Sequence, residues 1–198
     1  MKQGRPKEYN KYDVLEIAKN TFWEQGYYNV STQQLCDATK LGKSSLYHSF
    51  KNKHHLFILT LEDYVNEGIK IQYEKVMNKN SVKMGIDSLL QWGLSIDFND
   101  EDREGCYMIN SYLEIGNHDS EVTALMEKNM KAIKKIISTA FDRASNQDEL
   151  LETNYTLNEL KEKFLIDYYG FRILNAIDRE TLSTAEKRKN LIIKTIFK

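Results

Sequence analysis

Beyond Pro6, this 198-residue chain contains no proline, and it carries only nine glycines. Proline and glycine are the residues that stop helices and build tight turns. A chain so poor in both cannot easily form a turn-rich β-sandwich, but long helices are open to it. The expected fold class is all-α. No segment of any length shows the strict apolar/polar alternation of a half-buried strand.

Periodicity divides the chain into about nine helices. Val14/Leu15, Ile17/Ala18, Phe22 and Trp23 recur at helical spacing over 12–26, and Gly26 is a natural left-handed stop. Ser31-Thr32-Gln33-Gln34 reads as a capping box, with Val30 and Leu35 at the staple positions. That helix ends near Lys40, and Leu41-Gly42 allows a tight turn. A second short helix, 43–50, carries Leu46 and Phe50 on its inner face. From Lys53 to about Lys79 runs a helix of about 40 Å. Further helices are expected over 81–97, 103–115, 121–144, 157–177 and 182–197. An acidic loop, Asp97 to Asp102, a turn capped by Asp119, and a polar link, 145–156, separate them.

A helix, a tight turn and a short second helix headed by Lys and Ser have the geometry of a major-groove reader. Lys43, Ser44, Ser45, Tyr47 and His48 would face outward from a rod narrow enough for a groove about 12 Å wide. Charge is distributed to match. Residues 1–56 hold nine Lys/Arg against five Asp/Glu, a net +4, whereas the remainder holds 19 against 24, a net −5. The formal total of −1 hides a basic front on an acidic body, a pattern that also occurs without any polyanionic partner.

Here the residues become specific. Phe22, Gly26-Tyr27, Ser31, Leu35, the run from Leu41 through Lys53, and Leu56-Phe57 resemble the DNA-binding domain of the TetR family of bacterial transcription regulators, and Leu46-Tyr47-His48 with Phe50 and Lys53 is the most distinctive part. The stretch 105–110, Gly-Cys-Tyr-Met-Ile-Asn, resembles the sixth helix of one subgroup. The resemblance implies Lys43 and Ser45 at base edges, Ser44 beside them, Tyr47 and His48 at backbone or bases, Thr32 and Gln33 at phosphate or a base edge, and Lys53 at phosphate. Lys40 stands where the family usually has Gly, Gly42 where it has a capping Ser or Thr, Ser44 where it has Gly, and Ser49 where it has an aromatic residue. Gly4-Arg5-Pro6-Lys7 is a candidate minor-groove arm, with Arg5 the inserted residue; the alternative is an untethered tail. The resulting organisation is an arm (1–10), a helix-turn-helix domain (11–56), and a ligand-binding and dimerisation domain (57–198).

In the body, ten of the fourteen residues from Phe164 to Ile177 are apolar. A helix apolar on nearly all sides must be covered on nearly all sides. It is therefore expected to form, with the last helix, a four-helix interface in a homodimer, through Leu165, Tyr168, Tyr169, Arg172, Ile173, Ala176, Ile192 and Ile196; the alternative is a deeper core within one chain. Such a dimer would set two reading helices about 34–36 Å apart, matching an inverted repeat. The resemblance implies a small-molecule cavity among the middle helices, for which Trp92, Tyr107, Tyr112, Tyr64, Met108 and Phe98 are candidates, against the plainer reading that such bulk is core. Aromatic and Met-rich walls suit a largely apolar effector. The function expected is a ligand-responsive repressor on a palindromic operator. The alternative is a helical interaction or ligand-binding bundle without sequence-specific DNA binding.

Other classes find less support. His54 and His55 are adjacent, so on a helix they diverge, whereas metal-binding pairs are spaced i,i+4. Asp100, Glu101, Asp102 and Glu104 read as a solvated loop. No Gly-rich phosphate loop or nucleophile elbow is present, so neither enzyme activity, metal nor cofactor is expected. Cys36 and Cys106 form no disulfide framework, and both read first as buried hydrophobes. No apolar run approaches the ~18–20 residues of a membrane helix. The first 13 residues carry no signal-type apolar stretch, and the expectation is a cytoplasmic protein.

Overall fold

The computed structural model describes residues 9–98, 105–178 and 181–198. Arg5, the rest of the candidate arm up to residue 8, and the acidic residues Asp100 to Glu104 lie outside them. Among the described residues the chain is all-α, with nine helices and one isolated antiparallel bridge. The helices are α1 (Lys11–Gln25), α2 (Thr32–Thr39), α3 (Lys43–Phe50), α4 (Lys53–Met77), α5 (Val82–Phe98), α6 (Tyr107–Ile115), α7 (Ser120–Asn146), α8 (Leu157–Ile177) and α9 (Leu182–Lys194).

Helix starts follow local chemistry closely. Ser31 accepts from the Gln34 backbone while the Gln34 side chain accepts from the Ser31 N–H, a complete capping box, and Val30 and Leu35 are fully buried at the staple positions. Thr156 and Glu159 form a second capping box at the head of α8, a pattern overlooked in the sequence. Asp119 caps α7 by accepting from the N–H groups of Glu121 and Val122.

Two ends depart from expectation. α6 begins at Tyr107 rather than Arg103, because Gly105 has φ +68° and Cys106 is an extended N-cap. α9 stops at Lys194 rather than Phe197. Ile196 and Phe197 turn back, Phe197 pairs with Leu150, and Leu151 donates to the Ile196 carbonyl at 3.0 Å. Both side chains are thereby buried.

Two apolar cores fill the molecule. One combines α1–α3 with the first half of α4 and continues into Tyr107, Met108, Ile115 and Val122. The other lies among the end of α4, α5, α7, α8 and α9. The core beneath α1–α3 therefore continues into α6 and the start of α7. At about 25 cal/mol per Å² of apolar surface, this continuity welds the head to the body.

Candidate nucleic-acid interface and interior cavity

α3 is anchored by Leu46 and Phe50, which are buried, while Lys43, Ser44, Ser45 and His48 are exposed on its other side. Gly42 precedes it as an extended N-cap with no side-chain hydrogen bond, so the first-turn N–H groups have no side-chain acceptor. Lys40 closes α2 in the left-handed region, at φ 58° and ψ 23°, the conformation a glycine adopts without steric cost.

Tyr47 is half-buried, and its hydroxyl shares a 2.5 Å hydrogen bond with Oγ1 of Thr32. These two expected contact residues thus lock α3 to α2. Gln33, exposed, donates to Asp37 at 2.9 Å. Lys53 lies over the Tyr27 ring with Nζ 4.4 Å from its centroid. Its burial lowers its pKa from the ordinary lysine value, against the opposing pull of Glu114. Tyr9 was missed in the sequence: its hydroxyl donates to the Ser45 carbonyl at 3.3 Å and also pairs with Ser49 Oγ. An isolated tyrosine near a chain end carries no local signal for such a contact.

Two polar contacts help to tie the head to the body. Glu114 accepts the backbone N–H groups of Tyr27 and Tyr28, each at 2.8 Å. His54 Nε2 lies 2.6 Å from Asp119 Oδ2, with Glu121 3.7 Å from its other ring nitrogen. One ligand-type atom from each of these three residues falls within 4.8 Å of the others, a cluster invisible to spacing rules because 65 positions separate His54 from Asp119.

The candidate cavity residues divide. Trp92 and Tyr64 border two neighbouring spaces, a groove of about 380 Å³ between α1, α4 and α5 and an inner chamber of about 20 Å³. Met108 lines the chamber. Tyr107 is a core residue, 1% exposed and hydrogen-bonded to Thr60 at 2.9 Å, and burial raises its phenol pKa. Tyr112 packs under Gly116, and Phe98 packs on the body core; neither borders these two spaces. Cys106, half-buried, lies 3.5 Å from the Tyr64 hydroxyl.

The candidate dimer residues divide in the same way. Leu165, Tyr168, Arg172, Ile192 and Ile196 are all buried within the single chain. Arg172 clasps Asp97 through Nε and Nη2 at 2.8–3.2 Å, and Asn175 donates to the same carboxylate. Tyr169 and Ala176 are half-buried, and Ile173 is exposed. The uncovered apolar face of α8 is Ile166, Ile173, Leu174 and Ile177, with Leu191 of α9 also exposed. A helix apolar on all sides does not announce which side its own domain will take.

Residues 14–59 match the family described as bacterial regulatory proteins, tetR family. The HTH-type transcriptional regulator YezE of Bacillus subtilis is 31% identical over 147 residues, covering 74% of this chain and 76% of that protein. The chain belongs to the TetR family of transcriptional regulators. The fold agrees: a TetR-family regulator from Agrobacterium tumefaciens superposes with a TM-score of 0.81 at 17% identity, covering 94% of this chain and 97% of its own. The regulator CifR, solved with a 26-base-pair operator duplex, superposes at 0.78 and 19% identity over 98% of this chain and 100% of its own. As a TetR-family member the chain is a DNA-binding regulator and not an enzyme. Among its described residues, no helix is long and apolar enough to cross a membrane.

Proposed function

We propose that this TetR-family regulator acts as a repressor, binding a palindromic operator as a homodimer and leaving it when a small, largely apolar effector occupies the body. The observation that carries the reading is the division of α3: an apolar side held by Leu46 and Phe50, and an exposed Lys43–Ser44–Ser45–His48 side with an uncapped N-terminus beneath it. Such an end suits a phosphate, since free N–H groups and the helix dipole favour an anion. Lys43 and Ser45 are assigned to base edges, His48 to bases or backbone, Gln33 to phosphate or a base edge, and Lys53 to phosphate. Tyr47 and Thr32 position α3 through their mutual bond.

Dimerisation is assigned to the α8 stripe Ile166, Gly170, Ile173 and Ile177, with Leu174 and Leu191 beside it. An added Cβ at Gly170 would meet nothing within 4 Å, which leaves room for a close helix crossing. Effector binding in the body would favour one arrangement of α4 over another. The resulting shift in operator affinity is bounded by the ligand's differential affinity for the two arrangements.

Fluorescence anisotropy on a duplex selected from random oligonucleotides tests the DNA reading. Log affinity should fall steeply and linearly with log salt. Lys43→Ala should change base preference, by about 1–3 kcal/mol at one position, while Lys53→Ala should weaken all sequences alike. Binding untouched by both variants would sink the groove assignment. In sedimentation, Ile173→Glu should convert dimer to monomer; a variant that remains dimeric would place the interface elsewhere.

A further inference from the structure

The groove between α1, α4 and α5 receives one aromatic side chain from each of those helices: Trp23, Tyr64 and Trp92. Trp23 and Tyr64 meet edge to face, with centroids 5.2 Å apart. Acidic residues stand beside this aromatic wall. Glu16 and Glu67 line the groove. The lysine there, Lys19, is shared between Glu16 at 2.6 Å and Asp63 at 3.0 Å, so that pair of carboxylates already outweighs it, and Glu67 adds a further negative charge to the groove wall. The field is felt nearby: Tyr12's phenol pKa is raised, chiefly by Glu16, then by burial, Asp63 and Glu67, with Lys19 opposing.

The floor of the groove is kept open. Gly68 sits in the middle of the 25-residue α4, where glycine costs helix stability. A Cβ there would meet nothing within 4 Å, so no neighbour requires its absence, and the space it leaves is part of the groove. Behind the shared wall of Tyr64, Gly68 and Trp92 lies the inner chamber. Its Gln72, 7% exposed, presents an Oε1 with no hydrogen-bond partner. The cation bordering that chamber, Arg172, is already neutralised by Asp97. Aromatic faces, surplus carboxylates and an unused acceptor share one preference: a flat, positively charged, N–H-bearing molecule.

We propose that this groove binds an aromatic organic cation, with its ring against Trp92 and Tyr64 and its charge toward Glu67 and Glu16. Because Glu16, Lys19, Asn20 and Trp23 belong to α1, the ligand touches the DNA-reading head directly as well as the body. The regulatory consequence, release of DNA, rests on the effector reading given above; the binding site does not.

Calorimetric titration of the full chain with three naphthalenes of matched size separates the possibilities: 2-naphthamidine (cation), 2-naphthamide (neutral) and 2-naphthoate (anion). The cation should bind tightest, by about tenfold over the amide. Glu67→Gln, at an exposed side chain, should weaken the cation about threefold to tenfold and leave the amide unchanged. Gly68→Leu should abolish binding of all three while raising the melting temperature, because it fills the groove and improves the helix. Equal binding of the three, preference for naphthoate, or unchanged binding in Gly68→Leu would overturn the proposal. The selected duplex is titrated in parallel. Naphthamidine that binds without altering duplex affinity keeps the site and overturns its coupling to the head. Naphthamidine that fails to bind a protein still holding its duplex overturns the site and leaves the regulator reading standing.

Discussion

The carboxylate of Glu114, on α6, accepts the backbone N–H of Tyr27 at 2.8 Å, and its second oxygen takes the N–H of Tyr28. One body side chain thus fixes the loop between the first two helices of the reading head. A charged acceptor on two amides is among the stronger hydrogen-bond arrangements. Glu114→Ala should cost about 1.5–3 kcal/mol in urea unfolding and loosen the α1–α2 loop, seen as faster amide exchange at Tyr27 and Tyr28. Unchanged exchange at both amides would show that the clamp is not formed in solution.

The turn between α2 and α3 carries a lysine in a glycine conformation, Lys40 at φ 58°. A left-handed residue with a Cβ costs roughly 1–2 kcal/mol, partly offset by the entropy glycine loses on folding. Lys40→Gly should therefore raise the melting temperature, by the equivalent of about 0.5–1 kcal/mol. Gly26→Ala should do the opposite. Gly26 has φ 79° and ψ 161°, outside the left-handed helical well its helix end suggested, and an added Cβ would lie 3.1 Å from both Glu114 oxygens.

Arg172 and Asp97 form an ion pair with almost no solvent access. Removing one partner leaves a buried charge alone, so Arg172→Met or Asp97→Leu should each cost about 3–5 kcal/mol. Replacing both with apolar residues should recover most of that loss. Chemical denaturation of the two single variants and the double variant checks this. Additive losses would mean that the pair is not coupled.

Asp119 should make one contact between head and body sensitive to acid. Burial pushes its carboxyl upward, but hydrogen bonds from His54 and from the Val122 and Glu121 amides, together with the His54 charge, outweigh this and hold it below the usual carboxylate range. A depressed folded pKa stabilises the protein above the unfolded value, ~3.9, and that contribution is lost as pH falls through the folded value. Asp119→Asn should thus flatten the drop in stability below about pH 4. Melting curves from pH 2 to 6 test it; parallel profiles for wild type and variant would assign the acid sensitivity to other groups.

Local features were legible in the residue order. The Ser31–Gln34 box, the glycine at 26, the Leu46/Phe50 inner face of α3 and the Asp119 cap each involve groups within a few positions of one another, and the helices begin or turn where those groups stand. Less legible were partners far apart in the chain. Glu114 meets Tyr27 across 87 positions, and Arg172 meets Asp97 across 75; no spacing rule joins them. The same limit explains the cavity candidates. Tyr107 and Trp92 are both bulky residues on amphipathic helices, and only packing makes one core and the other wall.

By itself the sequence determined the all-helical class, most helix starts and the exposure of Lys43, Ser44, Ser45 and His48 on α3, because capping, periodicity and turn chemistry act over three or four residues. Only the tertiary structure decided which side of α8 turned inward, where Arg172 found its counter-charge, and which aromatics border open space. Those outcomes depend on how the helices share a finite volume, and a helix such as α8 carries more apolar surface than its own pattern can assign.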